Sequence, residues 1–419
     1  MEHKQIFNKI MIILFCTVMV LGFVLGLAFF LRPAHSDSEN RDLTEFPTFT
    51  LSTFFSGEFT EQVSTWFADT FPFREGLISL NDAVMSLKGF ATEQFHSGAS
   101  SAGKQPDGEN TKVETIEGYY ITGDAAYEMY YQSKEISDRY SAMINQAAKQ
   151  LDGKAKVYTM IIPLAYAYND RVLQKTDASD PKAAIDGMYA SITHPNAVKV
   201  NAYGALALHK DEYLYFRTDH HWTARGAYYA YTAYCADAGL TPHPLDYYEK
   251  LEFNGFLGTL YSHTKAPALQ KNPDIVEAFV PQGSNTLYVH TADGQRQKFT
   301  GGVVRKDTDS MYPSASSKYN CFLTSDNPLE TKQSYYCSIE NPNITDNSAV
   351  VLVKESFGNC FAPFLVDHYQ YVYVIDYRYF DGNLADFVTE HGAEAVIFLN
   401  NITATSAAPR VGEMEKLVN

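Results

Sequence analysis

The residues best suited to chemistry lie in one short string, Arg217-Thr218-Asp219-His220-His221-Trp222-Thr223. Two adjacent histidines beside an aspartate make a poor core motif. Each buried imidazole needs hydrogen-bond partners, and neighbouring residues project in different directions. Two chemistries would use such a cluster. A divalent cation would take Asp219, His220 and His221 as ligands, but three ligands without H-x-x-H or H-E-x-x-H spacing are a weak metal signature. Neither a metal nor another cofactor is therefore expected. The alternative is a dyad in which a carboxylate holds the Nδ1–H of a histidine whose Nε2 acts as base. Residues two apart in an extended segment project to one side. That makes Asp219 and His221 the expected pair and turns His220 away.

A base needs a nucleophile. Ser356, in Lys354-Glu355-Ser356-Phe357-Gly358-Asn359, follows an apolar run and opens a segment with a helical pattern. Nucleophilic serines sit at such strand-to-helix turns, although the G-x-S-x-G elbow is absent. The predicted helix N-terminus would offer N–H groups and a positive dipole end to a developing oxyanion. Phe357 and Asn359 in that turn, with His220 and Trp222 beside the base, are candidate contacts to substrate or oxyanion. Arg378, in Asp376-Tyr377-Arg378-Tyr379-Phe380, is another. It follows a predicted strand, and ligands of open α/β sheets bind at the carboxyl ends of strands. An ion pair with Asp376 is the structural alternative for this arginine.

The elements that must position these groups are legible as short, continuous apolar runs at 156–164, 349–353, 371–375 and 395–399. Runs of this kind read as strands buried on both faces. Helical patterns at 357–369 and 384–392 separate the last three, and a further helix over 224–238 follows the histidines with Thr223 as its N-cap. The alternation predicts an α/β fold with a parallel sheet and helices on both faces. Residues 241–346 break the rhythm and read as a β-rich insertion beside the sheet. Within it, Asp293-Gly294 between 287–290 and 296–299 signals a hairpin. Nearer the start, 52–90 reads as helical with a break at Pro72, and 92–112 as a mobile loop.

Residues 10–31 are apolar except for Cys16, Thr17, Gly22 and Gly26, enough to cross a bilayer as a helix. Lys4 and Lys9 precede the run and acidic residues follow it, which places the N-terminus in the cytoplasm and the rest outside. We expect an uncleaved single-pass membrane anchor over 1–32, a linker over 33–50 and a catalytic domain over 51–419. The length, 419 residues, suits one large domain with insertions or two ordinary ones. A net charge of −16 argues against nucleic acid as a partner. The 30 tyrosines and 27 phenylalanines suit sugar-stacking surfaces as well as an ordinary core. None of the five cysteines has C-x-x-C spacing, which argues against structural zinc and leaves disulfide pairing open. Cys360 is expected to be a thiol without catalytic function, since no basic partner lies near it in sequence.

Taken together, the chain resembles the bacterial DHHW protein family, related to SGNH-like O-acetyltransferases of alginate and other extracellular polysaccharides. The matching pieces are Glu39-Asn40-Arg41 with Phe46-Pro47, Trp66 to Arg74, Tyr215 to Thr223 with Asp-His-His-Trp intact, Ser356 in its strand-end turn, and Asp376 to Phe380. The resemblance implies a flavodoxin-like (SGNH-hydrolase-like) three-layer α/β/α sandwich. It also implies a triad of Ser356, His221 and Asp219, with Arg378 matching a family arginine near the site. Glu355 stands where the family usually has Asp. The implied activity is acetyl transfer to a cell-surface or secreted polysaccharide, with a membrane-bound acyltransferase partner relaying the group. A carbohydrate esterase on the same triad, a metal-dependent hydrolase and a non-catalytic glycan-binding protein are the alternatives.

Overall fold

The structure is a computed structural model. It describes residues 32–33, 35–36, 41–42, 44–50, 53–54, 58–73, 113–116, 119–291, 293–299, 302–306, 315–322 and 334–419. The apolar run at 10–31, the loop at 92–112 and the later half of the predicted 52–90 helix lie outside the described residues. No helix among the described residues is long and apolar enough to cross a membrane. The chain divides into two compact units, 1–97 and 98–419.

In the first unit, the predicted linker contains a small antiparallel pair, β1 (His35–Ser36) and β2 (Arg41–Asp42). Helix α1 (Glu58–Asp69) follows and stops ahead of Pro72. Its last turn is held by Arg32, whose guanidinium lies 4.1 Å from the Trp66 ring centre and donates to Thr70 Oγ1 at 2.8 Å.

The second unit is built on an eight-stranded sheet. A three-stranded antiparallel sheet, β3 (Val113–Ile116), β4 (Tyr119–Thr122) and β5 (Ala125–Glu128), opens it. The main-sheet strands β6 (Lys156–Ile162) and β7 (Ala197–Lys199) come next, then a separate antiparallel pair, β8 (Glu249–Phe256) and β9 (Asp274–Val280). The remaining strands are β10 (Thr286–Thr291), β11 (Arg296–Phe299), β12 (Ser334–Glu340), β13 (Ala349–Lys354), β14 (Tyr371–Asp376) and β15 (Ala395–Asn401). Across the large sheet the order is β11-β10-β12-β14-β13-β15-β6-β7. From β14 to β7 neighbours are parallel, as the apolar runs predicted for β14, β13, β15 and β6; β7 is a further strand that no run marked. Every residue of β13 is buried. A fully buried Val or Leu contributes about 1.5–3 kcal/mol.

The parallel strands, numbered by appearance in the chain, run 4-3-5-1-2 across the sheet. If the chain is shifted cyclically so that β13 comes first, the same order becomes 2-1-3-4-5, one of the two common orders of doubly wound sheets. Helices α2 (Lys134–Gln150), α3 (Pro181–Ser191), α4 (Ala224–Ala238), α5 (Leu384–His391) and α6 (Ala408–Lys416) flank it. On β6, the Thr159 hydroxyl meets Tyr140 of α2 at 3.2 Å, while the neighbouring Tyr158 ring packs 5.1 Å from Tyr234 of α4. Adjacent strand residues project to opposite faces, so α2 and α4 cover opposite sides of the sheet.

Two expectations need correction. The predicted 241–346 insertion does not simply sit beside the sheet. Its strands β10, β11 and β12 extend the sheet, with β12 satisfying the edge of β14 in antiparallel register. The hairpin at Asp293-Gly294 is present, with Gly294 at φ +82°. The second correction is at 357–369, where two 3₁₀ turns, Ser356–Gly358 and Ala362–Leu365, replace the predicted helix. Residues 357–366 are all buried, so their apolar pattern reports complete enclosure rather than one helical face.

Candidate active site

The Asp-His-His-Trp string is a closed loop. Tyr215 and Trp222 form an antiparallel bridge, and Thr223 N–H donates to the Leu214 carbonyl at 2.8 Å. Thr223 then caps α4 by accepting from Gly226 N–H at 3.2 Å, the predicted role. Inside the loop the Asp219 carboxylate folds back on its own chain. Its Oδ1 accepts from the His221 backbone N–H at 2.9 Å and from His221 Nδ1 at 2.6 Å. The expected pair is thus brought together, but by a side-chain-to-backbone turn rather than an extended segment. His221 Nε2 lies 2.7 Å from Ser356 Oγ.

Residues that sequence reasoning passed over hold this loop. Asp219 Oδ2 accepts from Thr259 N–H at 2.8 Å and from its hydroxyl at 3.0 Å. Gly258 lies so close that a Cβ there would fall 2.2 Å from Asp219 Cβ. Asp274, fully buried, accepts from Thr218 N–H (2.7 Å), Thr218 Oγ1 (2.6 Å), Arg217 N–H (3.1 Å) and Arg217 Nε (3.1 Å), and from the Tyr213 hydroxyl. Tyr319 stacks on His221 with ring centres 4.8 Å apart and planes 17° apart. All four come from the segment between 241 and 346, where no motif marked them.

The serine turn sits at the carboxyl end of β13. Glu355, buried, accepts from Phe357 N–H at 3.0 Å and from Asn401 N–H at 2.8 Å, pinning the turn to the end of β15. The Ser356 hydroxyl also lies 3.3 Å from Glu355 Oε2, so this carboxylate shares the hydroxyl with His221. Gly358 packs against Lys354, where a Cβ would come within 2.5 Å of the lysine Cβ. Lys354 is itself buried and donates to Asn359 Oδ1 at 2.9 Å and Asp376 Oδ2 at 3.1 Å, the partners a buried ammonium requires.

Several predicted contacts are therefore committed elsewhere. Trp222 is fully buried and donates through Nε1 to the Phe357 carbonyl at 2.8 Å, tying the histidine loop to the serine turn. Phe357 is buried too, its ring 5.0 Å from His221, and its N–H is taken by Glu355. Asn359 is buried against Lys354. Arg378 grips Asp376 in a bidentate pair, with Nε at 2.8 Å and Nη2 at 2.7 Å. For the oxyanion, the Ser356 N–H has no acceptor among the described residues. His220 does not point away either. Its ring centre lies 3.9 Å from that of His221, and its Nδ1 is 2.5 Å from Thr259 Oγ1.

Burial alone would raise the Asp219 carboxyl. His221, His220 and the donors around it outweigh that and hold it well below the usual range, so it is an anion. His220 is pushed down to about 3, by burial first and then by His221, and is neutral. Glu128, at the end of β5, is pushed up to about 7 by burial, partly offset by His221 and reinforced by Asp219 and Glu355. Cys360 is raised to about 12 by burial, as suits an inert thiol. Among the described residues the cysteines 235, 321, 337 and 360 are free and buried. Asp219, His220 and His221 each bring one ligand atom within 4.8 Å of the others. Four donors already occupy the Asp219 oxygens, and the His221 nitrogens face Asp219 and Ser356. The Asp219 and His221 atoms a cation would need are committed to the hydrogen-bond chain, which leaves His220 alone with a nitrogen to offer.

A mixed α/β protein with a mostly parallel sheet and a carboxylate–imidazole–hydroxyl chain at its carboxyl edge is the class that fold and site define. The chain belongs to the DHHW protein family, whose profile matches residues 39–115 and 105–375. A DHHW family protein from Eubacterium siraeum is similar in structure, with a TM-score of 0.65 at 24% identity over 75% of this chain and 100% of that one. PatB1 from Bacillus cereus, in a structure with a sulfonyl adduct, gives 0.55 at 14% identity over 74% and 99%. The O-acetyltransferase domain of Pseudomonas putida AlgJ gives 0.41 at 12% identity over 73% and 99%. No curated protein sequence matches.

Proposed function

We propose that the protein is a membrane-anchored, extracytoplasmic serine acyltransferase that moves an acetyl group onto a cell-surface or secreted polysaccharide. The observation that carries this reading is the unbroken chain Asp219 Oδ1–His221 Nδ1 at 2.6 Å and His221 Nε2–Ser356 Oγ at 2.7 Å. Family membership supports it, as does the cyclic 2-1-3-4-5 strand order, which suits a flavodoxin-like, SGNH-hydrolase-like three-layer sandwich. In that order β13 leads into the serine and β7 is the last parallel strand before the histidine loop, so both groups belong to one edge.

In the mechanism, Ser356 Oγ attacks the donor's carbonyl carbon while its proton passes to His221 Nε2. Asp219 keeps the other ring proton on Nδ1 and stabilises the imidazolium. The Ser356 N–H is one donor to the oxyanion. His221 then returns the proton to the leaving group. In the second half, a sugar hydroxyl attacks the acyl carbon and loses its proton to Nε2. The bond to Oγ breaks, and Oγ takes that proton back. The donor on the outer face would come from a membrane-bound acyltransferase partner.

Phenylmethanesulfonyl fluoride tests this, because activated hydroxyls capture sulfonyl electrophiles. We expect one sulfonyl group on Ser356 by peptide mass spectrometry, and none in His221→Ala. Modification elsewhere, or none in the unaltered chain, would refute the nucleophile. An esterase would label equally well and is separated by whether product appears on an added alcohol or only as free acetate.

A further inference from the structure

The mechanism above gives His220 nothing to do, yet it is the more solvent-exposed of the two adjacent imidazoles; His221 is buried. Its protonation pattern follows from its neighbours. The Thr259 hydroxyl has one proton, and Asp219 Oδ2, a carboxylate oxygen at 3.0 Å, can only accept it. Thr259 Oγ1 must then accept from His220 Nδ1, 2.5 Å away. His220 is thereby fixed as the Nδ1–H tautomer, leaving a bare lone pair on Nε2 that no described residue takes. Beside it, with ring centres 3.9 Å apart and planes 35° apart, stands His221, whose Nε2 is the proposed base.

We propose that His220 Nε2 receives a second hydroxyl of the acceptor, adjacent to the one that attacks, so that the site selects vicinal diols such as neighbouring ring hydroxyls of a sugar. This rests on the acyltransferase reading. The attacking hydroxyl gives its proton to His221 Nε2 and bonds to the acyl carbon, while its neighbour donates a hydrogen bond to His220 and keeps its proton. Water has no such second group. His220 thus biases the acyl-enzyme towards transfer and away from hydrolysis, and Thr259 is the residue that positions it.

The test uses the full-length chain acylated with p-nitrophenyl acetate and then offered trans-1,2-cyclohexanediol or cyclohexanol, with ester product and free acetate both quantified. After correction for its two hydroxyls, the diol should capture the acetyl group about five- to tenfold better than the mono-alcohol, the scale of one hydrogen bond. His220→Phe keeps a ring against His221 but loses the acceptor, and the diol preference should vanish. His220→Gln, whose side-chain oxygen reaches the Nε2 position, should restore part of it. A purely structural role would lower both alcohols and water together and leave the ratio unchanged. An unchanged ratio in His220→Phe, or no diol preference in the unaltered chain, overturns the inference while the acyltransferase reading stands. Absence of any acyl-Ser356 in the unaltered chain removes both.

Discussion

In the proposed mechanism His221 takes a proton from Ser356 and holds it only briefly, so everything touching its ring bears on rate. If Asp219, His221 and Ser356 act as a unit, Ser356→Ala and His221→Ala should each lower acyl transfer by about 10⁵–10⁶, and the double variant should add little. Asp219→Asn should cost about 10⁴, because an amide no longer enforces the Nδ1–H tautomer. Steady-state rates with p-nitrophenyl acetate, with and without a chelator, check all three. Chelator-sensitive turnover with a tolerant Ser356 would favour a metal site instead. Glu128 gives a separate, pH-dependent signature. Its carboxyl rises from an ordinary 4.5 to about 7, so within that window the folded chain holds a proton that the unfolded chain has released. Folding takes up protons there, and Glu128's contribution to stability falls as pH rises from 4.5 to 7. Glu128→Gln should gain on the unaltered chain between pH 5 and pH 8 in denaturant melts. A constant difference across that range would contradict the assignment. The residue types of the proposed triad were legible in sequence because Asp beside paired His, with a Ser after a strand, suits acid–base and nucleophilic chemistry better than a core. What each side chain touches was not. Trp222, Phe357 and Asn359 look like site residues in one dimension, and only the packing shows their polar groups already engaged.

Among the elements, the strands buried on both faces and the Asp293-Gly294 hairpin were legible, and the 3₁₀ turns after the serine were not. Strands buried on both faces write a continuous apolar run, as β13 does. The 356–368 stretch writes the same composition while forming 3₁₀ turns, because Glu355 captures the Phe357 N–H and Gly358 must lie against Lys354. Of the four residues from the 241–346 segment that hold the histidine loop, Gly258 and Asp274 each give a test. Gly258 has an ordinary negative φ, so Gly258→Ala acts through contact alone, its methyl displacing the Asp219 carboxylate from 2.3 Å. Turnover should fall about a hundredfold, the cost of misplacing a catalytic group by roughly an ångström, with circular dichroism unchanged. Asp274→Asn would leave buried donors of Arg217 and Thr218 without their anion. Denaturant unfolding should show a loss of about 3–5 kcal/mol, as for a buried ion pair that loses one partner. Full stability in that variant would mean the network does not hold the loop.

For the whole molecule, the order of the strands is what makes a site from residues 135 positions apart, His221 and Ser356. The runs announced a parallel sheet, but a sheet's strand order is settled by long-range pairing that local sequence does not encode. The cyclic order brings the first-half loop after β7 and the later turn after β13 to one edge. If the 10–31 run anchors the chain, as proposed, that edge lies on one side of a membrane. Lys4 and Lys9 ahead of the 10–31 run, with Asp37, Glu39, Asp42 and Glu45 behind it, favour an orientation with the site outside. In that orientation acetyl donors of the cytoplasm cannot reach Ser356 directly, and a relay through the membrane is required. The topology is open to a direct measurement. Protease added to intact cells should degrade the chain beyond Arg32 and leave a short N-terminal fragment, detectable through an N-terminal tag, that is digested only after lysis. Survival of the 98–419 unit in intact cells, with digestion on lysis, would place the site in the cytoplasm. It would then face soluble donors directly, and neither an extracellular glycan nor a relay partner would be needed.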